Sequence, residues 1–167
     1  MYHFKHRFKV NETSDMQLMA ERLESLKAGI IGGFALCLAF LITSLVNTLV
    51  LARYFPSLGN LEREINWSWC LSGGIAAFSG LLFGVTYRYI IRTDQNPQLK
   101  SGGVMAFGLV RGLTYLDGAD LVLPDFILAG ESVLWFAVGA IALDTTIQIG
   151  WIKPFKLTQG GDEARKN

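Results

Sequence analysis

Three charged residues, Arg111, Glu131 and Asp144, stand inside apolar stretches that are long enough to cross a membrane. An unpaired arginine at the centre of a bilayer costs between about 2.5 and more than 10 kcal/mol, so a partner for Arg111 is expected. Glu131 and Asp144 are 13 residues apart and lie on helix faces roughly 140° apart, so both cannot face one partner. We predict an ion pair between Arg111 and Glu131, with Asp144 as the alternative partner of Arg111 or as a partner of Arg88.

Such a pair has two interpretations: a lock between two helices, or a polar site for an anionic or protonatable ligand. Catalysis is not expected, because the sequence contains no HExxH, no GxSxG and no nucleophile–histidine set. His3 and His6 lie outside the apolar stretches, and Cys37 and Cys70 stand at different depths, too far apart for a disulfide. The sequence therefore predicts no catalytic residue, no metal site and no cofactor.

The elements that carry these charges are four apolar stretches, the first with 25 residues and no Asp, Glu, Lys or Arg. At ~1.5 Å per residue, each is long enough to cross a hydrocarbon layer of ~30 Å as a helix. Apolar residues make up 51% of the chain, and the net charge of +1 argues against a nucleic-acid partner. We therefore expect an all-α polytopic membrane protein, a four-helix bundle with spans at 28–52, 67–87, 102–123 and 126–151.

Basic residues predict the orientation. Twelve of the fifteen Lys and Arg residues precede the first span, join the second to the third, or follow the fourth. The positive-inside rule then places both termini in the cytoplasm or its organellar equivalent. The expected organisation is a basic N-terminal segment with an interfacial helix over 1–27, a four-span domain over 28–151, and a flexible cytoplasmic tail over 152–167.

Two patterns precede the first span. Aromatic and basic residues alternate over 2–10, which predicts an extended strip along an anionic lipid surface or, alternatively, a floppy basic tail. Ser14 and Gln17 have capping-box spacing and predict the start of an amphipathic helix at the membrane interface. That helix packs on its own protein or docks a partner. Its apolar stripe consists of Met16, Met19, Leu23 and Leu26.

The third span resembles the first: 26–29 reads Leu-Lys-Ala-Gly and 99–102 reads Leu-Lys-Ser-Gly. This similarity predicts that the bundle consists of two similar helical hairpins. Small residues four apart on one helix face allow close helix packing, and one such pair could serve dimerisation. The pairs are Gly29 and Gly33, Gly80 and Gly84, and Gly108 and Gly112.

The run over 96–103, its continuation over 107–112, and Gly130-Glu131-Ser132 resemble a group of uncharacterised small four-span membrane proteins of cyanobacteria and chloroplasts. The resemblance covers mainly 84–155 and carries over no functional residue. It implies a photosynthetic setting, in the thylakoid or the cyanobacterial plasma membrane, with the basic side facing cytoplasm or stroma.

These observations together favour a non-catalytic accessory or assembly factor of a larger photosynthetic membrane complex. One alternative is a small transporter or channel with a polar site at the repeat interface, and another is lipid or pigment binding. Expected partners are membrane lipids and other membrane-protein subunits, or further copies of the chain.

Overall fold

In the computed structural model of the protein, the described residues are 2–61, 66–91, 96–117 and 122–154, with only the backbone described for 2–15, 52, 57, 60 and 61. Every regular element in these ranges is helical, which confirms the predicted all-α class. The long helices are α1 (Tyr2–Val46), α2 (Trp67–Ile90), α3 (Pro97–Leu113) and α4 (Leu123–Gln148). Three segments are long and apolar enough to cross a membrane: Met16–Leu51, which contains most of α1, and the helices α2 and α4. The helix α3 is not among them.

The first helix differs from both N-terminal predictions. α1 is unbroken over 45 residues, so the extended strip at 2–10 is wrong, and no separate interfacial helix begins at Ser14. The reason is that residues 1–28 contain neither Gly nor Pro, and extending an existing helix costs far less than starting one. The predicted aromatic and basic faces of 2–10 lie outside the described side chains.

The outer end of α1 changes geometry before the chain turns. A π-helical turn, Asn47–Leu51, follows α1 directly, then a short helical turn, Ala52–Tyr54, and a 3₁₀ turn, Pro56–Leu61. Such π-helical turns are rare and often mark functional positions.

The third and fourth helices begin earlier than predicted because local capping decides their starts. The Asn96 side chain accepts a hydrogen bond from the Gln98 N–H at 3.0 Å, and Pro97 occupies the first turn of α3. At α4, the Asp125 carboxylate accepts from the Val122 N–H at 3.0 Å. α4 ends just before Gly150, whose φ of 85° suits a glycine that follows a helix.

Antiparallel contacts define the packing order α2, α1, α4, α3. α1 lies against α2 from Ser25, which bonds Tyr89, to Ser44, which accepts from the Trp69 indole N–H at 2.9 Å. α1 also contacts α4, where Thr43 accepts from the Trp135 N–H at 3.1 Å. α3 packs along α4 through Gly108 against Val133 and Gly112 against Ala129.

The core is built around aromatic rings. Phe83 of α2 is fully buried, and its ring centroid lies 5.4 Å from that of Phe107 in α3 and 5.1 Å from that of Phe136 in α4. Both pairs are edge-to-face, an arrangement that the ring quadrupole favours. Leu36 of α1, also fully buried, reaches this cluster opposite Gly139.

The chain remains packed after α4. Ile152 is 1% exposed, and the Lys153 N–H donates to the Glu24 carboxylate at 3.0 Å. The region predicted to be a flexible tail from 152 therefore begins with residues fixed to the bundle; 155–167 lie outside the described residues.

Candidate functional site

Arg111 lies near the end of α3, and its side chain reaches the middle of the bundle. Its Cζ lies 4.8 Å from the centroid of the Trp135 ring, and its Nη1 is 3.5 Å from the Ser79 Oγ. Ser79 is the thirteenth of the 24 residues of α2, and Trp135 is the thirteenth of the 26 of α4. The guanidinium is therefore close to half-way along both spanning helices.

The contacts of Arg111 do not compensate its charge. A desolvated cation–π contact contributes about 2 kcal/mol, less than the smallest cost given above for an arginine at mid-membrane. The hydrogen bond to Ser79 is long, and the Nε atom is buried with no hydrogen-bond partner among the described residues. A guanidinium has five N–H donors, so this one retains unused capacity to bind an acceptor.

The expected ion pair between Arg111 and Glu131 is not formed. Within the described ranges, no acidic oxygen lies within 4.0 Å of the Arg111 nitrogens. The guanidinium instead contacts the ring of Trp135, which stands one helical turn after Glu131. The Trp135 N–H donates to Thr43 of α1, which fixes the ring in the bundle.

Glu131 instead faces a separate small pocket. It is 9% exposed and lines, together with Asn47, Tyr115 and Trp135, a cavity of about 20 Å³. A cavity of this size has room for about one water molecule. Asn47 belongs to the π-helical turn, and its Oδ1 is buried with no hydrogen-bond partner among the described residues.

Asp144 also has a different partner from the two considered. Its carboxylate accepts from the Lys100 Nζ at 3.1 Å, and both side chains are about one quarter exposed. Lys100 stands in the first turn of α3, so this pair joins the start of α3 to the end of α4. Neither Arg111 nor Arg88 takes part in it.

The buried guanidinium paired with an acid is Arg88, near the end of α2. Its side chain is 0% exposed and pairs with the carboxylate of Glu21 from α1. Nη1 also donates to the Ser25 Oγ at 2.6 Å, and Nε donates to the Lys153 carbonyl at 3.0 Å. Arg88 thus joins α1, α2 and the segment after α4.

A groove of about 470 Å³ lies beside Arg111, between α2 and α3. Its walls are apolar, from Ile75 and Leu82 of α2 and Val110 of α3, and Phe136 of α4 forms part of its lining. The three wall residues are 46–71% exposed, so the groove opens at the side of the bundle. Arg111, Ser79 and Thr114 are its polar lining.

The six glycines predicted to pack helices all lie at contacts within the chain. A Cβ at Gly84 would collide with the Ala28 carbonyl of α1, and a Cβ at Gly80 with the Gly32 carbonyl. Gly29 and Gly33 face α2, and Gly108 and Gly112 face α4. Helix backbones therefore approach closely on both sides of the bundle.

Other chemistry-bearing residues are not gathered into a centre. Cys37 and Cys70 are free thiols. In the part of the chain that the structure describes, no group of three or more His, Cys, Asp or Glu residues is placed to hold a metal ion. The side chains of His3 and His6 are outside that part.

Comparison of the chain with protein-family models, with curated proteins and with solved structures finds no match. Function is therefore inferred from the geometry of the chain.

Proposed function

We propose that this chain is a non-catalytic integral membrane protein of four spans that serves as an accessory or assembly subunit of a larger membrane complex. The observation that carries the proposal is an exposed apolar stripe on the N-terminal part of α1. It consists of Met16, Met19, Leu23 and Leu26, which are 52–72% exposed.

Helix length supports a position of this stripe outside the hydrocarbon layer. The 36 residues of Met16–Leu51 extend over about 54 Å, whereas the hydrocarbon core is ~30 Å thick. The charged residues of this segment, such as Glu21 and Arg22, are concentrated at its N-terminal end, so that end is the part that leaves the membrane.

The stripe also faces away from the bundle. At 100° per residue, its centre is roughly 170° from that of Ser25 and Ala28, which are buried against the other helices. An interfacial helix covers its apolar side by lying flat on the membrane, which requires a break before the span. Because α1 has no such break, another protein is the best cover for the stripe.

The spacing of the stripe indicates what this partner presents. Its intervals of three and four residues are those of a helix that packs lengthwise against another helix. The partner is therefore a helix from another membrane subunit, with apolar side chains at matching intervals. A second copy of this chain is the alternative occupant.

The proposal treats α3 as a membrane span as well, which brings the number of spans to four. Its 17 residues extend over about 26 Å, and it runs along α4 between Asp144 and Ala129. Slight thinning of the bilayer accommodates this length. Both termini then lie on the basic side, in the cytoplasm or stroma. The thylakoid or cyanobacterial plasma membrane is the setting that the sequence resemblance implies.

The test is native-gel migration of the tagged full chain from mild detergent, for the wild type and for the double variant Met19→Glu/Leu23→Glu. The wild type is expected to migrate in a high-mass assembly, and the variant as free protein. The matched control, Gln17→Glu/Leu18→Glu, adds two acids to exposed positions off the stripe and should keep the assembly.

Thermal unfolding in detergent should be alike for both variants, since neither changes a contact between the helices. Migration of the wild type as a monomer or small homo-oligomer contradicts the proposal, and so does an assembly that tolerates the stripe variant.

A further inference from the structure

We infer that the groove between α2 and α3 is a binding site for a long-chain hydrophobic carboxylate, whose carboxylate group pairs with Arg111. The groove, Arg111 and Ser79 form a site distinct from the stripe on α1, so this inference does not depend on the partner proposed above.

The size of the groove suits a small amphiphile. Its volume of about 470 Å³ is within the ~300–1,000 Å³ typical of small-molecule pockets. The groove is therefore large enough for one flexible acyl chain.

The lining of the groove separates an apolar part from a polar end. Ile75, Leu82 and Val110 provide the apolar walls, and their exposure shows that a ligand enters sideways from the lipid. The polar end has the Arg111 guanidinium, with its buried Nε lacking a partner, and the Ser79 hydroxyl 3.5 Å from Nη1. This arrangement matches an acyl chain that ends in an anion.

The depth of the Arg111 guanidinium in the bundle favours a carboxylate over a phospholipid headgroup as its ligand. The guanidinium lies level with Ser79 and Trp135, close to half-way along their helices, so it is well below the headgroup region of a ~30 Å hydrocarbon layer. A phospholipid headgroup stays at the interface. A carboxylate is small and planar, and it can accept two parallel hydrogen bonds from one guanidinium.

The charge of Arg111 gives the site its selectivity. Two of the described acids have a basic partner elsewhere: Glu21 pairs with Arg88, and Asp144 pairs with Lys100. Among the described residues, no acidic oxygen lies within 4.0 Å of the Arg111 nitrogens, so a bound carboxylate would form the direct ion pair that Arg111 lacks there.

The experiment measures binding of radiolabelled oleate to the immobilised full chain in dodecylmaltoside. Saturable binding is expected, displaced by unlabelled oleate but not by oleyl alcohol, which has the same chain without the charge. Arg111→Gln should weaken the affinity at least about tenfold, because it removes a charge-assisted hydrogen bond. Arg53→Gln is the matched control, since Arg53 is exposed and outside the groove, and it should bind like the wild type.

A second variant keeps the test decisive if Arg111→Gln fails to fold. Ser79→Leu narrows the groove and leaves the charge in place, and it should also lose oleate. Three results overturn the inference: oleyl alcohol that competes as well as oleate, phosphatidylglycerol that competes as well as oleate, or wild-type affinity in a folded Arg111→Gln or Ser79→Leu protein.

Discussion

The most demanding prediction concerns Arg88 and Glu21, which join α1 to α2 at the basic end of the bundle. Replacing Arg88 with methionine removes a side chain that is 0% exposed, and with it the bonds to Glu21, Ser25 and Lys153. Breaking a buried ion pair from one side costs about 3–5 kcal/mol. Glu21 is 36% exposed and can regain water, so the lower part of this range is expected for Arg88→Met.

A double-mutant cycle separates the ion pair from the remaining bonds. Arg88→Met, Glu21→Gln and the double variant should give a coupling energy of about 1–3 kcal/mol, because the two side chains are in direct contact. The assay is unfolding in mild detergent titrated with a denaturing detergent and followed by circular dichroism. A coupling energy below about 0.5 kcal/mol would refute the reasoning, since it would mean that water screens the pair.

The chain offers a matched control for this cycle. Lys27 and Glu24 form an ion pair at 2.8 Å, but the lysine side chain is 47% exposed. Exposed pairs contribute about 0.2–1 kcal/mol, so Lys27→Met should change the unfolding free energy little. A similar loss for Lys27→Met and Arg88→Met would show that burial does not decide the strength of these pairs.

Two further predictions use the same unfolding assay. Gly84→Ala should destabilise the chain by about 1–3 kcal/mol, because its Cβ would collide with the Ala28 carbonyl. The control is Gly130→Ala, which has open space around it and should stabilise α4 by up to about 1 kcal/mol. Equal effects of the two substitutions would contradict close packing of α1 on α2. Asn47→Leu should leave the unfolding free energy unchanged or raise it by about 1 kcal/mol, because it removes a buried Oδ1 with no described partner. A clear decrease in the unfolding free energy would show that a water or ion in the small pocket had bound that oxygen.

Much of the helical content could be predicted because apolar length alone implies a membrane helix. The stretches at 28–52, 67–87 and 126–151 correspond to described helices that are long and apolar enough to span. The prediction for the third stretch, 102–123, was wrong at both ends, because the Asn96 cap and Pro97 start α3 earlier and the helix ends at Leu113. Capping is a local signal, and it outweighed the hydropathy boundary.

The partners of the charges could not be predicted, because they depend on which helices become neighbours. Arg111 and Glu131 are suitably placed along the chain, but the Arg111 guanidinium lies over the ring of Trp135 instead. Arg88 was considered only as a partner of Asp144, whereas its partner in the structure is Glu21, 67 residues away along the chain. One feature of the sequence indicates that Glu21 faces α2. Glu21, Ser25 and Ala28 lie on the same face of α1 as Gly32, and this face contacts α2.

The position of Lys153 has a consequence for how the protein is made. Its backbone binds Glu24 and Arg88, which belong to the first two helices, yet the ribosome adds Lys153 only after all four helices. During biosynthesis, α1 and α2 can associate early through their glycine faces, but the Arg88 cluster lacks one of its acceptors until α4 has inserted. Synthesis of α4 and the residues just after it therefore completes a contact between the first two helices, and a chain that stops before Lys153 lacks this acceptor for Arg88.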